Sequence, residues 1–475
     1  MQWWLAWREG TTRRPEFNDE SRRAPGPRVR RLAPALACAA AALLQGCLSG
    51  ELERERALLA EARSRAELPQ DDIDAILGRG RSEWPTVADL ASRVVLQEVV
   101  NVTLARNPDG AAALERWVAA LERPAQRMAL PDPQASYAYS SMFRMHTVKL
   151  EQGLPFPGKL LAEGRAALAE ARAMRAEQAA VQNLLREQAT AAVAWLALAR
   201  QSLALVDESV ALLERIVAVA HSRYQSGAVQ QSDVLRVEVD LAGLRAERAL
   251  RAQAVEAAES ALNALVDRPV DAPLGPVVDP GTPPPPASLQ ALLERALHSH
   301  PDLGAARARW DAAEAMRDRA DQEWIPDFML GGGYVRDFGM DEDQLELMGG
   351  ISLPLWWGKI TARIRETEAD VRRTEAEARS ARNRILDDVR RSRSRLLAAQ
   401  QAALLLRGDA VPKAAQNVSV SEASYTAGRI GLIDLLDAQR ALLMRQLELS
   451  AADAEVAVAG AALLRAVGGP DGHRE

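Results

Sequence analysis

Landmarks of unrelated residue types occur in this chain twice, in the same order. Leu96-Gln97, Pro108-Asp109 and Trp117 return as Leu289-Gln290, Pro301-Asp302 and Trp310, each 193 positions on. Gly158-Lys159 returns as Gly358-Lys359 after 200 positions, and Tyr224, Gly227, Asp233 and Leu235 return as Tyr425, Gly428, Asp434 and Leu436 after 201. The spacing changes mainly between the tryptophan and the Gly-Lys pair, so each copy holds one insert of variable length between two constant segments. Such a chain must build its fold from two copies of one unit, packed on each other or on further copies.

Between the landmarks the pattern is helical. Residues 158–224 contain no proline and one interior glycine, Gly164, and at 1.5 Å per residue a single helix there would run about 100 Å. Within it Leu203, Val206, Val210, Leu213 and Val217 are spaced alternately three and four apart, the seam of a coiled coil. Aromatic residues are only 4% of the chain, which suits long helices better than compact mixed cores. A helix of this length cannot bury its face in an ordinary globule and needs antiparallel neighbours or partner subunits. Tyr224-Gln225-Ser226-Gly227 ends it, with Gly227 at a left-handed position, and a further helix is expected over 232–266.

The second copy repeats this plan: a helix from Ser288, a long helix over 358–425, a turn at Gly428 and a last helix to Val467. Gly408 and Pro412 predict a break or kink in its long helix. Earlier in the chain, 51–67 reads as a charged helix. Thr86 and Asp89 can cap a helix running to Asn107, and another carries Trp117 towards Pro124. Trp117 and Trp310 are expected in the core. The prolines of 270–287 exclude helix and central strand, which makes that stretch the linker.

The expected organisation is therefore an export signal over 1–46, a short segment over 47–85, a first repeat over 86–269, the linker, a second repeat over 288–468, and a tail over 469–475. The inserts are 129–157 and 325–357. The second reads as a hairpin of 328–335 and 345–355 around Asp337-Phe338-Gly339, with Gly331, Gly332 and Gly333 weakening its first strand. The first, with Tyr137, Tyr139, Val148 and Leu150, alternates less cleanly. Each strand is close to the length that crosses a bilayer at a tilt. Four strands cannot close a barrel, and open edges leave peptide groups unpaired in lipid. Three copies would give about twelve strands, within the range of known barrels.

Arg28, Arg30 and Arg31 followed by apolar residues 32–44 form an export signal. Leu44-Gln45-Gly46-Cys47 then resembles the lipobox of bacterial lipoproteins, with cleavage before Cys47 and lipid on its thiol. Residues 1–27, with Trp3, Trp4 and Trp7, fit no export signal, and translation is expected to start beyond them. No other stretch has the length and apolarity of a transmembrane helix.

The net charge is −6, with both signs interspersed, which leaves no basic stripe for nucleic acid. Two cysteines, Cys38 and Cys47, exclude a disulfide framework. Met142, Met145 and His146 offer three soft donors in a poorly patterned hairpin, a weak basis for a metal site. His298 and His300 are expected to be surface or packing residues. Trp356 and Trp357 beside a strand-to-helix junction suit an interfacial aromatic belt or ordinary packing. Neither a phosphate loop nor a nucleophile elbow is present, so neither an enzyme nor a cofactor is expected.

Asn107-Pro108-Asp109 with His300-Pro301-Asp302, Leu154-Pro155-Phe156-Pro157-Gly158-Lys159-Leu160, and Tyr425-Thr426-Ala427-Gly428 followed by Ile433-Asp434-Leu435-Leu436-Asp437-Ala438-Gln439 together resemble the TolC-like outer-membrane efflux protein family. The likeness covers 85–468, and the Leu-Pro-Phe-Pro-Gly-Lys string looks most like its heavy-metal branch. The resemblance implies a mainly α protein with a small β portion. Duplicated long antiparallel helices would form a periplasmic α-barrel, and four strands per protomer a trimeric twelve-stranded outer-membrane β-barrel. It implies a lipid-anchored homotrimer in the outer membrane, the exit duct of a tripartite system with a periplasmic adaptor and an inner-membrane pump of the RND or ABC type.

On this resemblance Asp434 and Asp437 would narrow the periplasmic aperture, with Tyr425 helping to hold it closed. Six carboxylates near a trimer axis would favour cations, although Asp434 at a helix start also has a plain capping role. The first repeat keeps Asp233 but has Arg236 at the second acidic position. Ser226, Gly227, Ala427 and Gly428 would dock the adaptor at the hairpin tips, where Ala228 and Arg429 also lie and Arg429 departs from an apolar pattern. Pro155, Pro157 and Gly158, and Pro354 and Gly358, would turn strand into long helix, proline ending the ladder and glycine allowing the redirection. A protein-secretion exit channel of the same fold, or a periplasmic coiled-coil lipoprotein without a pore, are the alternatives.

Overall fold

The computed structural model describes residues 49–65, 90–227, 229–278, 284–427 and 429–469. The expected export signal with Cys38, the expected lipidation site Cys47, and the tip residues Ala228 and Gly428 lie outside them.

After a leading helix α1 (Ser49–Arg65), the first repeat runs α2 (Leu96–Arg106), α3 (Pro108–Leu121), α4 (Arg123–Met128), β1 (Gln134–Ser140), β2 (Met145–Leu154), α5 (Pro157–Gln225) and α6 (Gln231–Leu265). The second runs α7 (Leu289–Ser299), α8 (Pro301–Asp321), β3 (Asp327–Asp337), β4 (Glu342–Ser352), α9 (Trp357–Leu405), α10 (Val411–Thr426) and α11 (Leu432–Ala466). Local chemistry starts matching helices alike. Pro108 and Pro301 take the first helical position, where a missing N–H costs nothing. The preceding Asn107 and His300 accept the amides of Asp109 and Asp302 at 2.9 and 3.2 Å.

Helix α5 is 69 residues long and unbroken. Val206, Leu213 and Ala220 are its buried seam at seven-residue intervals, while Leu203, Val210 and Val217 are half-buried. Of the break or kink expected at Gly408 and Pro412, the structure shows a local irregularity and no break. A five-residue π-helical segment, Leu406–Ala410, links α9 to α10. Pro412 would clash with the carbonyl four residues back in a regular helix, and widening the turn relieves this without ending the rod.

Leu90, Val94, Val99, Val193, Leu196, Leu262 and Val266 form the first repeat's core, and Leu292, Leu303, Ile385, Val389, Leu396, Val456 and Leu463 the second's. A further cluster encloses Trp117, which is 2% exposed, under Leu52 and Leu59 of α1 together with Leu121 and Leu168. Trp310 is only half-buried, contrary to expectation; α1 packs on the first repeat, and among the described residues no such helix lies just ahead of the second. The linker does not hang free: Val94 N donates to Pro276 O and Val278 N to Val94 O, both at 2.9 Å.

The strands form one antiparallel sheet in the order β1-β2-β3-β4. Gly331, Gly332 and Gly333 do not shorten β3, because it is paired on both sides along its length. The register resolves the untidy first insert. Tyr137, Val148, Tyr334 and Leu345 lie in one row, and Ala135, Leu150, Gly332 and Leu347 in another on the same face. The opposite face carries the row Ser136, Lys149, Gly333 and Glu346, with Lys149 and Glu346 3.6 Å apart across the glycine. One face is therefore apolar, the other polar, and β1 and β4 are unpaired edges. Among the described residues no helix is long and apolar enough to cross a membrane.

Candidate functional sites

At one end of the long helices, strand turns into helix twice. At the first junction Lys159 is 8% exposed. Its ammonium donates to Ile325 O at 2.8 Å and Asp327 Oδ1 at 2.9 Å, and the same oxygen accepts the Phe156 amide at 2.8 Å. Gly158 is needed for space rather than for an unusual backbone angle. It lies inside the first helical turn, and a Cβ there would stand 2.2 Å from the Gln322 side-chain oxygen and 2.8 Å from the Phe156 ring. Pro155 precedes the helix and Pro157 is its first residue. At the second junction, after Pro354, a Cβ on Gly358 would meet nothing within 4 Å. Lys359, Trp356 and Trp357 are all exposed there.

At the opposite end, Gly227 takes φ 74°, a conformation that costs glycine little, and its amide donates to Tyr224 O at 2.9 Å. Ser226 Oγ donates to Arg223 O at 2.9 Å. In the second copy Ala427 N donates to Ala423 O at 3.1 Å and Arg429 N to Ser424 O at 2.9 Å. Ser226, Gly227, Ala427 and Arg429 are exposed.

Asp434 and Asp437 are both exposed on the side of α11 away from buried Leu432, Leu435 and Leu436. Asp434 Oδ2 accepts the Gly431 amide at 3.1 Å, as Asp233 accepts that of Gln230 at 3.3 Å. A capping contact occupies only part of a carboxylate's acceptor capacity, so it coexists with a role toward solvent. Asp437 is 3.1 Å from Arg440, which also bridges to Asp240 on α6. Tyr425 packs on Val234, Val237, Leu432 and Leu436, and the Arg223 guanidinium lies 4.5 Å over its ring. Arg440, Asp240 and Arg223 were missed in the sequence. Only the three-residue step from Asp437 to Arg440 could have signalled one of them.

Of the soft-donor trio, His146 is engaged by aromatic side chains. His146 Nδ1 is 2.7 Å from the Tyr137 hydroxyl, and its ring meets those of Tyr139 and Phe338. Met142 is exposed. Among the described residues no cluster of His, Cys, Asp or Glu could hold a metal. His300 is a largely buried cap; burial pushes it below its ordinary value, Asp302 opposing and Arg465 adding to the shift.

A sheet with one apolar face and two open edges, joined to paired long hairpins, defines a subunit of a membrane conduit rather than a finished globule. The chain belongs to the outer membrane efflux protein family, whose model matches residues 99–267 and 292–469, on either side of the proline-rich linker. It is 23% identical over 311 residues to the cobalt-zinc-cadmium resistance protein CzcC of Cupriavidus metallidurans, covering 64% of this chain and 72% of that one. Its fold is similar to that of CusC, with a TM-score of 0.69 at 17% identity over 85% of this chain and 97% of that one. The Campylobacter jejuni outer-membrane channel CmeC matches with a TM-score of 0.70 at 14% identity, over 86% and 95%.

Proposed function

We propose that three copies of this chain close their four-stranded sheets into a twelve-stranded outer-membrane barrel and bundle their long helices into a periplasmic conduit. Lipid on Cys47 anchors it. The duct works passively, receiving substrate from an inner-membrane pump of the RND type through a periplasmic adaptor that docks on the tips around Ser226, Gly227, Ala427 and Gly428. The observation carrying this reading is the sheet, apolar on one face and polar on the other with both edges unpaired. Such a sheet is stable in lipid only when its edges are joined. The sequence likeness to CzcC favours metal cations as cargo, and a deletion strain is expected to lose tolerance to cobalt, zinc or cadmium.

Asp434 and Asp437 constrict the aperture, with Arg440 partly neutralising Asp437 and Tyr425 holding the hairpin end closed. Replacing both aspartates by alanine is expected to raise single-channel conductance in planar bilayers and to weaken block by divalent cations. Unchanged conductance and block would remove these residues from the gate. A purified protein that stayed monomeric and water-soluble would end the duct reading itself.

A further inference from the structure

The duplication allows the edge of one protomer to be read from its own interior. Within the chain, the second repeat docks on the first through β3 against β2 and α8 against α5. Side-chain bridges mark this boundary. One is Lys159 with Ile325 O and Asp327 at 2.8 and 2.9 Å; another is Arg309 of α8 with Glu177 of α5. Each participant has a counterpart in the other repeat. Ile325-Pro326-Asp327 matches Leu130-Pro131-Asp132, Lys159 matches Lys359, Arg309 before Trp310 matches Arg116 before Trp117, and Glu177 matches Glu377.

The counterparts do not meet inside the chain, because β1 and β4 are opposite edges of the sheet. Asp132, Lys359 and Arg116 are exposed, and no polar side-chain partner is found for them among the described residues. Among the described residues, Glu377 is held only by Arg373 one helical turn away, at 2.9 Å.

Strand pairing tests the correspondence independently. Moving the first hairpin onto the second by 195 positions in its first strand and 199 in its second carries the pair Gln134–Glu151 onto Met329–Gly350, which the sheet makes. The same shifts applied to the β2–β3 pair Gly153–Met329 put Ser352 opposite Gln134 of another copy. In that register Leu347 falls opposite Tyr139 and Ile351 opposite Ala135, so the apolar face continues across the boundary. A slip by one residue would set apolar against polar.

We propose that the seam between protomers repeats the internal one: Lys359 of one copy donates to Leu130 O and Asp132 of the next, Arg116 of that next copy pairs with Glu377, and Ser352 lies opposite Gln134. This rests on the trimeric reading above and gives it a register and named contacts. The internal bridge from Arg319 to Glu163 is not repeated, since Arg363 stands at the matching acidic position.

Zero-length carbodiimide coupling of the purified, detergent-solubilised protein tests the seam directly. An isopeptide between Lys359 and Asp132 should be found by peptide mass spectrometry in covalently linked multimers and not in the residual monomer band. Lys359→Asp and Asp132→Lys, made singly, should each raise the monomer fraction released by detergent at fixed temperature by roughly tenfold, and the double exchange should recover most of that loss. Arg116→Glu and Glu377→Arg should behave in the same way with a smaller effect, their charges being more exposed. A wild-type protein that is trimeric by native mass, yet gives neither the isopeptide nor rescue, overturns this seam and leaves the trimer standing. A wild-type protein that never forms trimers overturns both.

Discussion

At the first strand-to-helix junction a lysine is buried and doubly bonded, and its neighbouring glycine has no room for a methyl group. At the second, the same two residue types stand in the open. The motif is shared and the helix starts alike, so the difference comes from what lies alongside. The first junction is flanked by β3 of its own chain, whereas the second lies beside β4, an unpaired edge. Tryptophan shows the same contrast, Trp117 being enclosed by α1 and Trp310 only half-covered. Burial in a duplicated chain is a property of neighbours: equivalent residues are covered only where the fold sets another element beside them.

The largest expected break in this symmetry is at the tryptophans. Trp117→Ala should cost about 3–5 kcal/mol, the usual loss for a large buried aromatic. Trp310→Ala should cost about 1–2 kcal/mol, since that side chain is only partly covered. Thermal loss of helical circular dichroism in detergent would rank the two. Equal losses would show that α1 does not account for the difference between the repeats.

Next comes the lysine pair. Lys159→Ala leaves Asp327 without its cation, and because Asp327 is 39% exposed the cost should be about 2 kcal/mol, below that of a fully buried pair. It should appear locally, as faster amide hydrogen exchange around Phe156, whose N–H is held by the same carboxylate. Lys359→Ala should leave exchange at that segment unchanged. If both variants loosen it equally, or neither does, the buried bridge is not what orders the first junction.

Much of this was legible because helix and duplication are local signals. The long helix expected over 158–224 is Pro157–Gln225, and that over 232–266 is Gln231–Leu265. The two faces of the first hairpin were not legible. Tyr137, Tyr139, Val148 and Leu150 become one apolar surface only when β2 is paired with β1 on one side and β3 on the other. Nor was the state of the second long helix, since Gly408 and Pro412 signal a disturbance without saying that a wider turn absorbs it. At the helical tips, Asp434 and Asp437 were named from the resemblance, and their three-residue spacing gave only their shared helix face. The Arg440–Asp240 bridge, which joins α11 to α6, depends on packing that no single segment encodes.

The smallest expected effect concerns the helix caps. Asn107 and His300 hold equivalent positions and make the same bond to the second amide of their helices, but only histidine titrates. Burial lowers the folded-state value of His300 below its ordinary 6.5, so protonation favours the unfolded chain. Its contribution is therefore intact above that ordinary value and is lost as pH falls through it towards the lower folded one. His300→Asn keeps the cap and removes the proton. Between about pH 7.5 and about pH 5.5 the wild type should lose more thermal stability than this variant, the two agreeing at the upper end. Identical losses would mean that the proton is carried as easily by the folded protein as by the unfolded chain, and that the second repeat's cap is electrostatically equivalent to the first.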